Sequence, residues 1–596
     1  MRFQLITCTL ISLFIYGADI AQAQKKDSVE KKSLAKKAFK EGVKFISTNP
    51  EDTVVNEKSV DAYSAYSGKI IRNINIERVG FEKSIYDSAK KVAKTVTQLS
   101  NALHVNTREN TIHQHLFANK NKPLNPFELA DNERFLRDKD FILDCRIVVI
   151  PVEGTDSVDL TVVTRDVFSL GATVGGSFPN APKIGVYDAN VSGRGQRIEF
   201  TSLIDQGRTP KFGYSMLYRK SSIFGSLTNL ELGYTQLDNG LSFGDENEFA
   251  ARVRLDRPLV SPYSRMAGGG EVSRNWSENV RNKPDSSFLQ YDYKVADGWL
   301  GFNFGIKKEL ANRNRKFIAV RYFDGLYIDQ PDQENFKEQR KYNNINGYLS
   351  EFTFYRQNFY KTRYVFGFGR TEDIPYGFTL GITGGYIRQL SIERPYAALK
   401  LNYGKANKKG NFVRAQAQMG GYIRNHEPED VILQGGVAYF TRLIQLNTYK
   451  MRNLLSATYT QLVHHAVIDW LEINKQEIPG FQSDSLDASS RFAVHAESAV
   501  YTPWSLIGFR FAPFAAVDMV AVNCVQCLTN NNLYWGFSGG LRTRNENLIF
   551  GTIEMKFTFL PKDQYGNSKF VFGFKQNLQL KNTGSFVRAP SLILYN

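Results

Sequence analysis

The residues that most invite a chemical reading are Cys524 and Cys527, in the run Cys524-Val-Gln-Cys527. Structural zinc needs four ligands, and no second CxxC and no HxxxH accompanies the pair. A redox dithiol needs a helix N-terminus in front of its thiolate. The pattern supports a local disulfide in an exposed loop, with free thiols as the alternative. His113 and His115 stand two apart on a predicted helix and face different directions, so they chelate one metal poorly. His464 and His465 are neighbours near a strand end, where adjacent side chains point to opposite faces. There is no GxSxG elbow, no Walker loop and no HExxH. The sequence thus offers no catalytic constellation, no metal site and no cofactor motif.

A second group of residues speaks of electrostatics. Glu497 shares strand parity with Arg491 and His495, opposite Phe492, Val494, Ala496 and Val500. Asp518 shares parity with Arg510, opposite Phe509, Phe511, Ala515, Val517, Met519 and Ala521. Residues of opposite parity point to opposite faces of a strand. Arg491, Glu497, Arg510 and Asp518 therefore sit on polar faces whose reverse sides are apolar. Two carboxylates close together repel or hold a proton unless a cation joins them.

The same alternation fills the chain from Arg165 to Asn596, in bursts of about ten residues of the kind that cross a membrane as strands. Strands apolar on one face and polar on the other need oil outside and water inside, which describes a transmembrane antiparallel β-barrel. Candidate strands include Phe212–Tyr218, Ile318–Tyr322, Phe378–Tyr386, Leu533–Leu541 and Phe570–Leu578, and the full count comes to about twenty, an even number being the firm part. The 43 Phe and 30 Tyr fit aromatic girdles at two interfaces. A mean hydropathy of −0.34 is that of a water-soluble chain, but a barrel hides from hydropathy because half of each strand faces water.

Arg2, the apolar stretch Leu5–Ile20 and Ala21-Gln-Ala23 read as a secretory signal peptide over 1–23. No later run of about eighteen apolar residues offers a spanning helix. The net charge of +16 is spread along the chain, which suits a basic lumen or anionic headgroups and makes nucleic acid a poor partner for an exported protein. Four cysteines are too few for a disulfide scaffold.

Residues 24–68 are Lys-rich and read as a linker. A small α/β unit is expected over 69–165. Lys69–Val79 alternates as a strand, and Ile85 to Leu103 carries an apolar helical stripe. Thr107 is placed to cap a helix, Pro126–Arg137 forms another, and Ile142–Val152 and Val158–Arg165 close the unit as strands. The barrel takes 166–596.

Thr107-Arg-Glu-Asn-Thr-Ile112, Leu116-Phe117, Asn132-Glu-Arg134-Phe-Leu-Arg137 and Phe141-Ile-Leu-Asp-Cys-Arg146 carry a resemblance. The segment resembles a POTRA domain, the β-α-α-β-β periplasmic module of the BamA/TamA-like outer-membrane assembly superfamily (bacterial surface antigen barrels). The Ile85–Leu103 helix departs from that module. Asn190, Gly193 and Gly195 in Asp188-Ala-Asn-Val-Ser-Gly-Arg-Gly195 resemble the superfamily's strand-end N-x-x-G-x-G turn. Ile478-Pro479-Gly480-Phe481, followed by five strands, resembles its inward-folding loop, whose Arg-Gly-Phe/Tyr tip pairs with acids on the next two strands. Here Pro479 stands at the arginine position. Arg491, Lys475 or Arg510 is then the candidate cation for Glu497 and Asp518, the alternative being that both acids are simply solvated.

The resemblance implies sixteen strands, fewer than the alternation suggests. It implies a Gram-negative outer-membrane location with the POTRA-like unit in the periplasm, contact with outer-membrane lipid, and client outer-membrane or secreted proteins. Clients would be received at the POTRA-like edge strand, with periplasmic or lipoprotein accessory partners admissible. It implies insertion or translocation of proteins or lipids through a weak seam between the first strand (near Ser169–Gly176) and the last (near Phe570–Leu580). A passive channel and a partner-dedicated secretion pore are the alternatives.

Overall fold

The computed structural model describes residues 56–79, 105–177, 180–238, 246–305, 313–334, 340–365, 367–464, 471, 477–479, 481, 488–506, 509–524, 533–545, 548–549, 551–561, 569–577 and 587–594. The expected signal peptide, most of the linker, the Ile85–Leu103 helix, Gly480 and Cys527 lie outside them. Cys524 closes a strand, but its side chain lies outside them too, so the pair's expected disulfide does as well.

Twenty antiparallel strands form the barrel. Four strands precede it: the two-residue Glu57–Lys58, which pairs with Tyr360 and Lys361 of the barrel, and then β1 (Ile70–Val79), β2 (Ile142–Pro151) and β3 (Ser157–Asp166). The barrel then runs β4 (Leu170–Ser177), β5 (Ala181–Asp188), β6 (Gln196–Ile204), β7 (Phe212–Lys220), β8 (Asn229–Asp238), β9 (Asn247–Arg257) and β10 (Met266–Glu278). It continues with β11 (Asp292–Phe304), β12 (Asn314–Asp329), β13 (Ile345–Thr362), β14 (Glu372–Gln389), β15 (Ile392–Ala406) and β16 (Phe412–Arg424). The remainder are β17 (Glu427–Phe440), β18 (Tyr449–Val463), β19 (Ala488–Tyr501), β20 (Phe509–Cys524), β21 (Leu533–Arg544), β22 (Thr552–Phe559) and β23 (Phe570–Asn577). The short strands Ile444–Leu446 and Ser505–Leu506 extend β17 and β19 past local irregularities. The count of about twenty from alternation matches, and five strands follow the Ile478–Phe481 loop.

The alternation sorts the residues as the pleat requires. On β20 the even positions Ala512, Phe514, Ala516, Asp518, Val520 and Val522 are buried, while Ala515 and Val517 are exposed. Ile184, Val186, Ile198, Met216, Leu232, Val253, Val272, Ile318, Val320, Ile382, Leu399 and Val437 are likewise exposed and cover the outer wall. Exposed aromatics flank this apolar surface, among them Phe302, Phe304 and Tyr403 toward one end and Tyr348, Trp535 and Phe570 toward the other. An outer wall of this kind is suited to hydrocarbon and costly in water. Among the described residues no helix is long and apolar enough to cross a membrane, which says nothing of strands.

At the end where β4 begins, called here the near end, sits the small unit. Its sheet has the order β1-β3-β2, with β1 parallel and β2 antiparallel to β3. Two helices cover it, α1 (Glu109–His113) and α2 (Pro126–Arg137). Ile112, Leu129, Leu136, Ile147, Val158 and Leu160 make its core. Helix α2 begins where Asn125 accepts from the Phe127 and Glu128 amides, with Pro126 at its first position. Thr107 does not cap α1. The N-cap is Arg108, and Thr107 instead donates its amide to Asp166 at 2.6 Å and accepts from the Asn190 side chain at 2.8 Å.

Candidate functional site

The predicted strand-end turn is a joint. Asn190 Oδ1 accepts from the Gly195 amide at 2.7 Å, and Gly193 O accepts from the Arg108 amide at 2.9 Å and Thr111 Oγ1 at 3.0 Å. Gly193 and Gly195 have φ of 69° and 63°, and a Cβ on Gly193 would lie 2.4 Å from Asn106 O. Glycine is required there both by the backbone conformation and by the closeness of the α1 approach.

The charges of the Asn132–Arg137 run form a second, buried joint to the barrel. Glu133 is 1% exposed. It accepts from Lys361 Nζ of β13 at 2.6 Å, Arg137 Nη1 at 2.5 Å, the Ile147 amide at 2.9 Å and the Tyr63 hydroxyl. Arg137 also forks onto Asp373 of β14 at 2.9 and 2.8 Å. Asp131 pairs with Arg313 at 3.0 Å and accepts from Ser261 at 2.7 Å. Burial pushes the Glu133 carboxyl up, but Lys361 and Arg137 pull it down further, to about 2. Buried ions are retained only when paired in this way. The 18-residue strands β13 and β14 make the joint reachable. At about 3.4 Å per residue each overshoots the ~25 Å apolar band and carries Lys361 and Asp373 down to the small unit.

This joint also occupies one of the two outer edges of the small sheet, that of β2. Cys145 O accepts from Arg137 at 2.9 Å, the Cys145 amide donates to Asp144, the Ile147 amide goes to Glu133, and Leu143 O accepts from Arg370 at 3.2 Å. The β2 edge is therefore capped from Leu143 to Ile147. A client strand could not pair at this edge without displacing those side chains, which leaves β1 as the sheet's other edge for β-augmentation.

Within the barrel, Ile478 and Phe481 are fully buried and pack against Val520, Val522, Tyr534 and Leu560. Phe481 meets Tyr534 edge-on at 5.2 Å, and the Phe481 amide donates to Ile478 O. The loop is thus folded inward, with Pro479 at its turn. Of the candidate cations, neither described one serves both acids as expected. Arg491 pairs with Glu477 of the loop at 3.1 Å. Arg510 reaches toward the near end, donating to Phe368 O at 2.9 Å and the Tyr364 hydroxyl at 3.2 Å. Lys475 lies outside the described residues.

Glu497 is instead clamped by Arg542 of β21 at 2.5 and 2.7 Å, and Arg542 also donates to Glu554 at 2.6 Å. Asp518, 2% exposed, lies 2.6 Å from His495 Nδ1. Neither acid is simply solvated. The wall strands supply the charge partners of both acids. Arg542 escaped the sequence reading because the predicted strand Leu533–Leu541 stopped one residue short of it. Parity would have turned it inward.

The seam is the most unusual part of the wall. Every other neighbouring pair of barrel strands is joined by a residue-by-residue backbone ladder, up to eighteen residues long between β13 and β14. β4 and β23 are hydrogen-bonded neighbours in the barrel, and among the described residues the bonds between them run through a side chain. Gln576 bridges them through its side chain, donating to Ala172 O at 2.9 Å and accepting from the Val174 amide at 3.2 Å. Both strands are 8 residues long.

The last strand does not end the fold. Residues 587–594 return into the barrel, where Val587 packs against Phe317, Ala319 and Tyr355, and Ile593 joins the cluster that holds Ile478 and Phe481. The expected last wall strand, near Phe570–Leu580, is β23, and the segment after it lies inside the barrel rather than in its wall. The alternation of Ser591-Leu-Ile-Leu594 reads as strand, but its backbone partners are wall side chains. Among the described residues no three His, Cys, Asp or Glu groups converge as metal ligands do.

No family model matches the chain, and no curated protein matches it. Solved structures do. CdiB from Acinetobacter baumannii is similar at 11% identity and a TM-score of 0.38, over 93% of this chain and 100% of that one. CdiB from Escherichia coli is similar at 9% identity and 0.37, over 93% and 99%. BamA from Haemophilus ducreyi lacking POTRA domains 1–3 is similar at 10% and 0.32, over 93% and 94%.

Proposed function

We propose that the chain is an outer-membrane barrel that assists insertion or transport of proteins, or of lipids, through the seam between β4 and β23. The observation that carries this reading is the contrast at the seam. Among the described residues a backbone ladder closes every other joint, while the bonds across this one run through the Gln576 side chain. Opening a barrel costs the hydrogen bonds broken, and replacing a few side-chain bonds costs least. The apolar outer wall and its flanking aromatics fit an outer membrane of a Gram-negative cell. The small unit is POTRA-like in its β-α-α-β-β order and lies on the periplasmic side. With its β2 edge capped, it serves as a docked base that orients the barrel, and clients meet the strands at the seam. No covalent step or nucleotide is required.

A passive channel would need an open lumen. Ile478, Phe481 and Ile593 occupy part of its far half, and Tyr364 and Phe368 pack inside the near end beside Tyr501. These contents favour a closed barrel that works at its wall. Depletion tests the proposal: without this protein, the amounts of other barrels or of surface lipid in the outer membrane fall. Unchanged outer-membrane content overturns it.

A further inference from the structure

The C-terminal segment lies in a site built to hold it. Arg321 of β12 donates to Pro590 O at 2.9 Å, and Lys400 of β15 donates to Ser591 O at 2.9 Å and Ser591 Oγ at 3.1 Å. Gln434 of β17 donates to Leu594 O at 2.9 Å, and the Ile593 amide donates to the Tyr396 hydroxyl at 2.9 Å. The three donors and one acceptor thus address the main chain of an extended segment, satisfying groups that a buried strand would otherwise pair in a ladder. Each donor is itself held. Asp297 grips Arg321 at 2.9 and 2.6 Å, Glu351 grips Lys400 at 2.9 Å, and Gln418 donates to Gln434. Groups positioned before the ligand arrives lose little freedom on binding.

One side chain is also read. Ile593 is 4% exposed, and its Cδ1 lies where a Cβ on Gly420 would come within 2.9 Å. The absence of a side chain at Gly420 leaves the space that Ile593 fills beside Tyr396 and Ala398. Val587 makes a second apolar anchor, and six residues of extended chain span about 20 Å between the two. Two anchors and a main-chain track define a peptide site inside the barrel.

We propose that the inner wall of β12, β15 and β17 is a binding site for an extended peptide segment carrying an aliphatic residue at the Gly420 pocket. The chain's own C-terminal residues are its resident ligand, and a segment of the same chemistry competes with them. Because the contacts are mostly to main chain, the site tolerates sequence outside the pocket position. The proposal does not depend on the seam's activity.

The test uses the full chain in detergent and a fluorescent peptide of residues 588–596, with binding read by anisotropy. In Ile593→Asp the resident segment is expelled, so the peptide binds at least tenfold more tightly than to the unaltered chain. The same peptide with aspartate for its isoleucine does not bind. Adding Lys400→Ala to Ile593→Asp weakens peptide binding about tenfold. Equal binding, or none, to the unaltered and Ile593→Asp chains overturns the proposal, provided the variant keeps the heat-modifiable gel mobility of a folded barrel. Should it not fold, Lys400→Cys with Ser591→Cys in the full chain decides. A short bifunctional crosslinker joins the two if the segment sits in the lumen, and failure to join them overturns the proposal.

Discussion

The β13–β14 wall and the β4–β23 seam use the same kinds of residue and reach opposite ends of a stability scale. The wall is a ladder of eighteen pairs running from Ile345↔Gln389 to Thr362↔Glu372, and its near end is fastened to a buried ionic joint through Lys361 and Asp373. The seam has strands of 8 residues bridged by Gln576. Local opening draws on the regions with the fewest hydrogen bonds and contacts. The difference teaches that rigidity on one side of the barrel is what confines opening to the other.

The largest expected effect comes from removing that difference. Crosslinking Val174→Cys to Gln576→Cys abolishes activity and reducing the disulfide restores it, whereas the corresponding lock in the wall, Phe352→Cys with Ile382→Cys, leaves activity intact. An outer-membrane assembly assay with and without reductant reads both. Next comes the joint that stiffens the wall. Glu133→Ala leaves Lys361 and Arg137 buried with one carboxylate fewer and costs about 3–5 kcal/mol, the scale for breaking a buried pair. Denaturant unfolding measures it, with Glu133→Gln costing less.

Acid should weaken the same joint. Glu133 has a folded pKa of about 2, depressed below its ordinary value, so its contribution is present above pH 4.5 and is lost as pH falls toward 2. Burial, helped by Lys139, lowers His115 to about 3. Between pH 6.5 and 3 the unfolded chain therefore binds the extra proton, and stability falls as pH falls. The small unit loses up to about 1.4 kcal/mol per pH unit for each group within its window. Replacing His115 with glutamine removes the phase that begins near pH 6.5, as read by a pH series of thermal unfolding. The smallest effect is Gln576→Ala, which removes two side-chain hydrogen bonds worth about 0.5–1.5 kcal/mol each and leaves the fold intact. It raises the opening rate of the seam, measured by labelling of a cysteine placed at Val174.

Much of this was legible in the residues. Period-two alternation gave the barrel, the strand number and the inward direction of Glu497 and Asp518, because the pleat admits only two faces. Asn190, Gly193 and Gly195 stood out through their resemblance to a strand-end turn, and the positive φ of both glycines accounts for their type. The partners of the acids were not legible. Pairing of Glu497 with Arg542 depends on two strands further round the barrel, and His495 meets Asp518 only through the register that sets them opposite each other. The Asn132–Arg137 run suggested a module, yet nothing in its spacing says that Lys361 and Asp373, more than two hundred residues away, complete it. The placement of residues 587–594 was not legible either, because an extended segment held by wall side chains carries no pattern that names those side chains.

Hydrogen exchange in the intact barrel, reconstituted in a bilayer, compares seam and wall without altering a residue. The account predicts that amides of 170–177 and 570–577 exchange at least a hundredfold faster than those of the β13–β14 ladder. Equal protection of seam and wall would contradict it.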